Sequence, residues 1–182
     1  MRTGRREKNR ISDDRGISLV ELIVVISIMA VMIGIISISL SVMFTRDATY
    51  VASKIDDGLS EARMYSMSKA GTFYFVLHIE DPKDSYVEIK DGGSYSKIVQ
   101  LDKSVKITVS DDTGSFTAGD GSDVYIAFNK SNGAVRSVTD GAPATDSTAS
   151  GVYTIEIEST KNIAKTKTVT LITTTGRHYT EK

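Results

Sequence analysis

Arg15-Gly16-Ile17-Ser18-Leu19-Val20-Glu21 runs directly into residues 22–44, LIVVISIMAVMIGIISISLSVMF. No charged residue interrupts those 23 positions. As a helix they reach roughly 35 Å, enough to cross a bilayer core of about 30 Å. The stretch is apolar on every side, so a surface helix with one buried stripe does not describe it. It reads as a transmembrane helix. Arg2, Arg5, Arg6, Lys8, Arg10 and Arg15 precede it, against only Glu7, Asp13 and Asp14. The positive-inside rule keeps that basic leader in the cytoplasm and exports the chain beyond the helix. A secretory signal peptide would have a shorter apolar core and a small-residue cleavage site after it. Met43-Phe44-Thr45-Arg46 offers no such site.

A plain signal anchor leaves Glu21 without a purpose, because a carboxylate at the edge of hydrocarbon is costly unless paired. Reaching into the headgroups is the structural alternative. The residues around it narrow the choice. Arg15-Gly16-Ile17-Ser18-Leu19-Val20-Glu21 resembles the cleavage site of type IV pilin precursors. In that family a glycine precedes the cut, an apolar residue comes after it, and a glutamate is the fifth residue of the mature chain. Gly16, Ile17 and Glu21 match these in order.

The resemblance implies a membrane-embedded prepilin peptidase that cuts between Gly16 and Ile17 on the cytoplasmic side. It implies N-methylation of the new Ile17 amine and pairing of that amine with Glu21 of a neighbouring subunit. Both charges would sit in low dielectric, each expensive alone and tolerable together. Other pilin or pseudopilin subunits, an inner-membrane assembly platform and membrane lipids are the implied partners. Two departures stand out. The first mature residue is Ile17 where phenylalanine is common, and the apolar helix has no proline, since Pro82 and Pro143 are the only two in the chain. Gly34, Ser37, Ser39 and Ser41 supply small positions instead, suited to close helix contacts.

Beyond the apolar run, 182 residues accommodate one compact domain rather than two. Val51, Ile55, Leu59 and Ala62 fall at helical spacing, with Lys54, Asp56, Asp57 and Glu61 mostly elsewhere. Gly58 weakens this segment without breaking it, and Ala70-Gly71 is a stop. The pattern predicts one helix over about 18–69. Its second half presents an apolar face to a folded domain. After Gly71 the period changes to two. Strands are predicted at 73–79, 86–89, 97–101, 105–109, 124–128, 134–138, 152–158 and 166–173. Asn132-Gly133 marks a hairpin. The fold expected is α+β, a long N-terminal helix packed on an antiparallel sheet. The expected divisions are a cleaved leader at 1–16, a transmembrane assembly half at 17–44 and an exported pilin-like domain at 45–182.

The order of elements carries a second, looser resemblance. Leu59-Ser60-Glu61-Ala62-Arg63 on a helix, Phe128 before a turn at Gly133, and a last strand into Thr175-Gly176-Arg177 resemble the H-type minor pseudopilins and related minor pilins. The implied setting is a type IV pilus, a type II secretion pseudopilus or a competence pilus, with the domain outside the membrane.

Enzyme chemistry is not expected. There is no cysteine, so disulfides and thiol nucleophiles are excluded. His78 and His178 are far apart in sequence, and no phosphate loop, nucleophile motif or metal-ligand spacing appears. No cofactor is expected. The acidic loop over 111–123 could supply oxygen ligands to Ca²⁺, but its spacing is not that of an EF-hand, and no metal site is assigned. Net charge is −1, yet Lys161, Lys165, Lys167, Arg177 and Lys182 crowd the C-terminal end against Glu181. Some minor pilins of the type this chain resembles bind DNA, which makes Lys165, Lys167 and Arg177 candidate phosphate contacts. Solvated lysines guarding a strand edge are the plainer reading. A signal-anchored binding or sensor module, with Glu21 incidental, is the alternative to a filament subunit.

Overall fold

The computed structural model describes residues 18–80, 84–144, 146, 149–160 and 166–181, apart from the side chains of 34–46. The chain divides into two compact units, Met1–Leu40 and Ser41–Lys182. In the first unit the described backbone is the opening of helix α1, whose bounds are Leu19–Ser68. Its large apolar side chains from Leu19 to Ile33 are all 49–73 % exposed. Among the described residues no helix is long and apolar enough to cross a membrane. The span expected over 22–44 runs beyond them, because the side chains of 34–46 are not described.

Among the described residues the second unit holds the rest of α1 and ten strands: β1 (Phe73–Ile79), β2 (Tyr86–Asp91), β3 (Ser96–Gln100), β4 (Val105–Asp111), β5 (Thr117–Ala118), β6 (Ser122–Phe128), β7 (Val135–Asp140), β8 (Val152–Ser159), β9 (Thr166–Ile172) and β10 (Arg177–Glu181). Every pairing is antiparallel. The α+β class is as expected, but the strands form two sheets rather than one. The first has the order β3-β2-β1-β6-β7 and the second β10-β9-β8-β4-β5. The eight predicted strands are present with ends moved by a few residues. β5 and β10 were not expected. β5 is only two residues long, and Arg-His-Tyr-Thr-Glu in β10 has no apolar alternation. Both exist because a neighbouring strand offers unpaired backbone groups, which a local pattern does not reveal.

Alternation explains which side chains go inward. In β8, Tyr153, Ile155, Ile157 and Ser159 are buried, while the residues between them are not. The core also takes Phe75, Leu77 and Ile79 from β1, Val124, Ile126 and Phe128 from β6, and Val169 and Leu171 from β9. Ala48, Val51, Ala52, Ile55, Leu59 and Ala62 of α1 join the same cluster. Helix and both sheets thus share one hydrophobic core.

Gly58 sits on the buried face of α1, packed against β1 and β2. A Cβ there would lie 2.9 Å from a ring carbon of Phe75 and 3.0 Å from a methyl of Val87. Both side chains are essentially fully buried and have little room to yield. Gly58→Ala therefore adds helix propensity of about 1 kcal/mol and overpacks the core by about 1–3 kcal/mol. The expected result is net destabilisation, with Gly58→Val worse than Gly58→Ala. Urea unfolding followed by tyrosine fluorescence measures it, as the chain has 8 tyrosines and no tryptophan. An alanine variant at least as stable as the parent would show that the close approach is not required.

Candidate functional site

Of the residues in the cleavage motif, Glu21 is described, whereas Gly16 and Ile17 lie outside the described residues. Glu21 is exposed in the first turn of α1. The helix begins at Leu19, and the Leu22 amide donates to the Ser18 carbonyl at 3.0 Å. Ser18 is thus the N-cap and Glu21 the third helical residue. Ser18-Leu19-Val20-Glu21 has the spacing of a capping box, and a carboxylate in the first turn is favoured by the helix dipole. The sequence carried that signal in plain view beside the cleavage motif. One turn on, the Ser27 hydroxyl donates to the Ile23 carbonyl at 2.7 Å. A polar group in an apolar helix is satisfied in this way without a partner helix.

The looser motif comes together in space. Arg63 leaves α1 and its Nε donates to the Gly133 carbonyl at 2.9 Å, while Nη2 donates to the Thr175 carbonyl at 3.0 Å. Gly133 lies between β6 and β7 of the first sheet, and Thr175 between β9 and β10 of the second. At the same corner the Val135 amide donates to the Thr173 carbonyl at 2.9 Å. Gly133 (φ 68°) and Gly176 (φ 64°) both adopt the left-handed region that favours glycine. A Cβ on Gly176 would also fall on the Gly133 carbonyl oxygen. One guanidinium thus ties the helix to a turn of each sheet.

His78 has partners on both sides. Its Nδ1 is 2.5 Å from Asp123 Oδ1 and its Nε2 is 3.4 Å from Glu88 Oε2. Its ring stacks on Tyr86 with centroids 4.0 Å apart. Burial raises the Glu88 pKa, but hydrogen bonds from Ser96, Lys90 and His78 outweigh that and hold it below the usual value. His178 is 2.8 Å from the Ser60 hydroxyl and 3.9 Å from an Asp56 carboxylate oxygen, which fastens β10 to α1.

The acidic loop does not gather its carboxylates. Asp111 accepts from the hydroxyls of Ser115 and Thr113 and from the Phe116 amide, which together hold its carboxyl well below the ordinary range. Asp123 faces His78 instead. Among the described residues no group of three or more His, Asp or Glu side chains is placed to hold a metal ion. At the C-terminal end, Lys165 lies outside the described residues. Thr168 pairs with Glu181 and Ile172 with Arg177, so Lys167 and Arg177 stand at opposite ends of the β9–β10 ladder. Strand alternation also puts them on opposite faces. The structure does not bring those two cations together.

Residues 11–37 match the family model for the prokaryotic N-terminal methylation motif. The match supports a type IV pilin-like protein. It takes in Gly16, Ile17, Glu21 and the start of α1, and it implies interaction with other pilins and processing by a prepilin peptidase. A type IV pilin motif points to a membrane-anchored or extracellular filament protein. No curated protein and no solved structure matches the chain.

The Arg63 corner ties α1 to a turn of each sheet. Arg63→Ala leaves the partly buried Gly133 carbonyl without its donor, which costs about 1–3 kcal/mol. The unfolding midpoint should fall accordingly. Amide exchange should quicken at Val135 and Gly176, which donate to the Thr173 and Ile172 carbonyls at the tied corner. Unchanged exchange at both turns would show that Arg63 does not hold them.

Proposed function

We propose that the chain is a minor pilin or pseudopilin, a subunit of a type IV filament system, processed by a prepilin peptidase and assembled through its hydrophobic N-terminal helix. The observation that carries this reading is the motif match over 11–37, with Gly16-Ile17 and Glu21 in register inside it. The leader at 1–16 stays cytoplasmic, 17–44 anchors the chain in the membrane, and 45–182 is exported. The protein then leaves the membrane for a filament in the periplasm or at the cell surface. The exposed apolar surface of α1 from Leu19 to Ile33 suits lipid before assembly and neighbouring helices afterwards. Convergence of Arg63, Gly133 and Thr175 favours the H-type minor subfamily over a major subunit, since these are residues of the looser motif.

Cleavage is expected between Gly16 and Ile17. Intact-mass measurement of protein made with a prepilin peptidase should give a chain beginning at a methylated Ile17. A different N-terminus, or an uncut chain beside an active peptidase, would overturn the filament reading in favour of a plain signal anchor. A bulky residue in place of Gly16 should block the cut.

Glu21 is assigned the pairing with the Ile17 amine of a neighbouring subunit. Glu21→Ala should still be processed and inserted but should be strongly depleted from the sheared filament fraction. Glu21→Ala also removes a favourable first-turn charge, worth about 0.3–1 kcal/mol to the helix. Glu21→Gln keeps the capping-box geometry and loses the charge, so it tests the charge apart from the cap. Normal incorporation of Glu21→Gln would refute the ion pair.

A further inference from the structure

A cavity of about 320 Å³ opens between the end of α1 and the β6–β7 connection. Ser66 and Thr72 line it on one side, and Asn129, Lys130, Ser131 and Arg136 on the other. It contains two cations and no acid. Among the described residues neither Lys130 nor Arg136 has a carboxylate in salt-bridge range. The Nε of Arg136 is buried with no hydrogen-bond acceptor. No acceptor among its neighbours reaches it. A buried guanidinium donor without an acceptor is costly, so the site holds uncompensated positive charge.

We propose that this cavity binds an oxyanion of the phosphate class through Arg136 and Lys130. A guanidinium offers forked donors that match phosphate oxygens, and an ammonium adds a point charge. The volume exceeds what a bare phosphate needs, and the Thr72 and Ser131 hydroxyls with the Asn129 side chain suit a polyol attached to it. The ligand class is therefore a phosphate ester of a sugar or polyol, with free phosphate as the simpler source of the same chemistry. The site is separate from the cleavage motif and does not depend on assembly into a filament.

The test is calorimetric titration of the full chain in detergent, in a phosphate-free buffer, with glycerol 3-phosphate, inorganic phosphate and glycerol. Binding of glycerol 3-phosphate that weakens with added salt is expected, together with no heat from glycerol. Arg136→Gln and Lys130→Gln should each weaken it by about tenfold or more. Lys130 is exposed on the turn, so Lys130→Gln should leave the unfolding midpoint in place and serves as the folding-safe variant. Tighter binding of the ester than of inorganic phosphate supports the ester, and equal binding supports the free ion. No heat from either phosphate, binding of glycerol alone, or parent-like binding by the Lys130 and Arg136 variants would overturn the proposal.

Discussion

The apolar stripe of Ala48, Val51, Ala52, Ile55, Leu59 and Ala62 on α1 is the surface around which the domain is organised. Each of the two sheets has one inner face that needs cover, and this stripe lies in the same core as both. Removing a buried Leu or Ile from such a position costs about 2–5 kcal/mol, a large part of the net stability of a domain this size. Gly58 shows how tight the fit is, because its missing side chain leaves room for Phe75 and Val87. A glycine in mid-helix gives up propensity, and here the close packing of helix on sheet offsets that loss.

Polar contacts then fix how the elements sit on that core. Arg63 reaches carbonyls in one turn of each sheet, and His178 reaches Ser60 and Asp56 from the last strand. At the sheet edge, Lys97 pairs with Glu61 at 2.6 Å and ties β3 back to the helix. Burial raises the Glu61 pKa, but the hydrogen bonds and charge of Lys97 outweigh that and leave it lowered. Such a depressed carboxyl adds stability that is present above its unfolded pKa and is lost as pH falls through the folded one. Because the pair is partly exposed, its contribution is modest.

The opening turns of α1 obey a different rule from its later ones. From Leu19 to Ile33 every large apolar side chain is exposed, and the Ser27 hydroxyl bonds back to its own helix. From Ala48 onward the helix is amphipathic and half buried. A single sequence can encode both behaviours because the helical backbone satisfies its own polar groups in either solvent. Side chains alone then decide which part of the helix the folded domain covers.

Much of this was legible in the sequence. Length without charge marked the apolar segment, and the residues around Gly16 marked the N-terminal methylation motif matched over 11–37, because both depend on residues close together in the chain. Helical spacing located Val51, Ile55, Leu59 and Ala62, and period-two alternation located eight strands, for the same local reason. Pairing across long separations was not legible. The division into two sheets, the existence of β5 and β10, and the separation of Lys167 from Arg177 all depend on which backbone groups meet after folding. The convergence of Arg63 with Gly133 and Thr175, and of Lys130 with Arg136 around one cavity, is decided the same way. Local propensity sets what each segment can become. Only the shared core decides which segments become neighbours, because burying apolar faces together is a property of the whole fold.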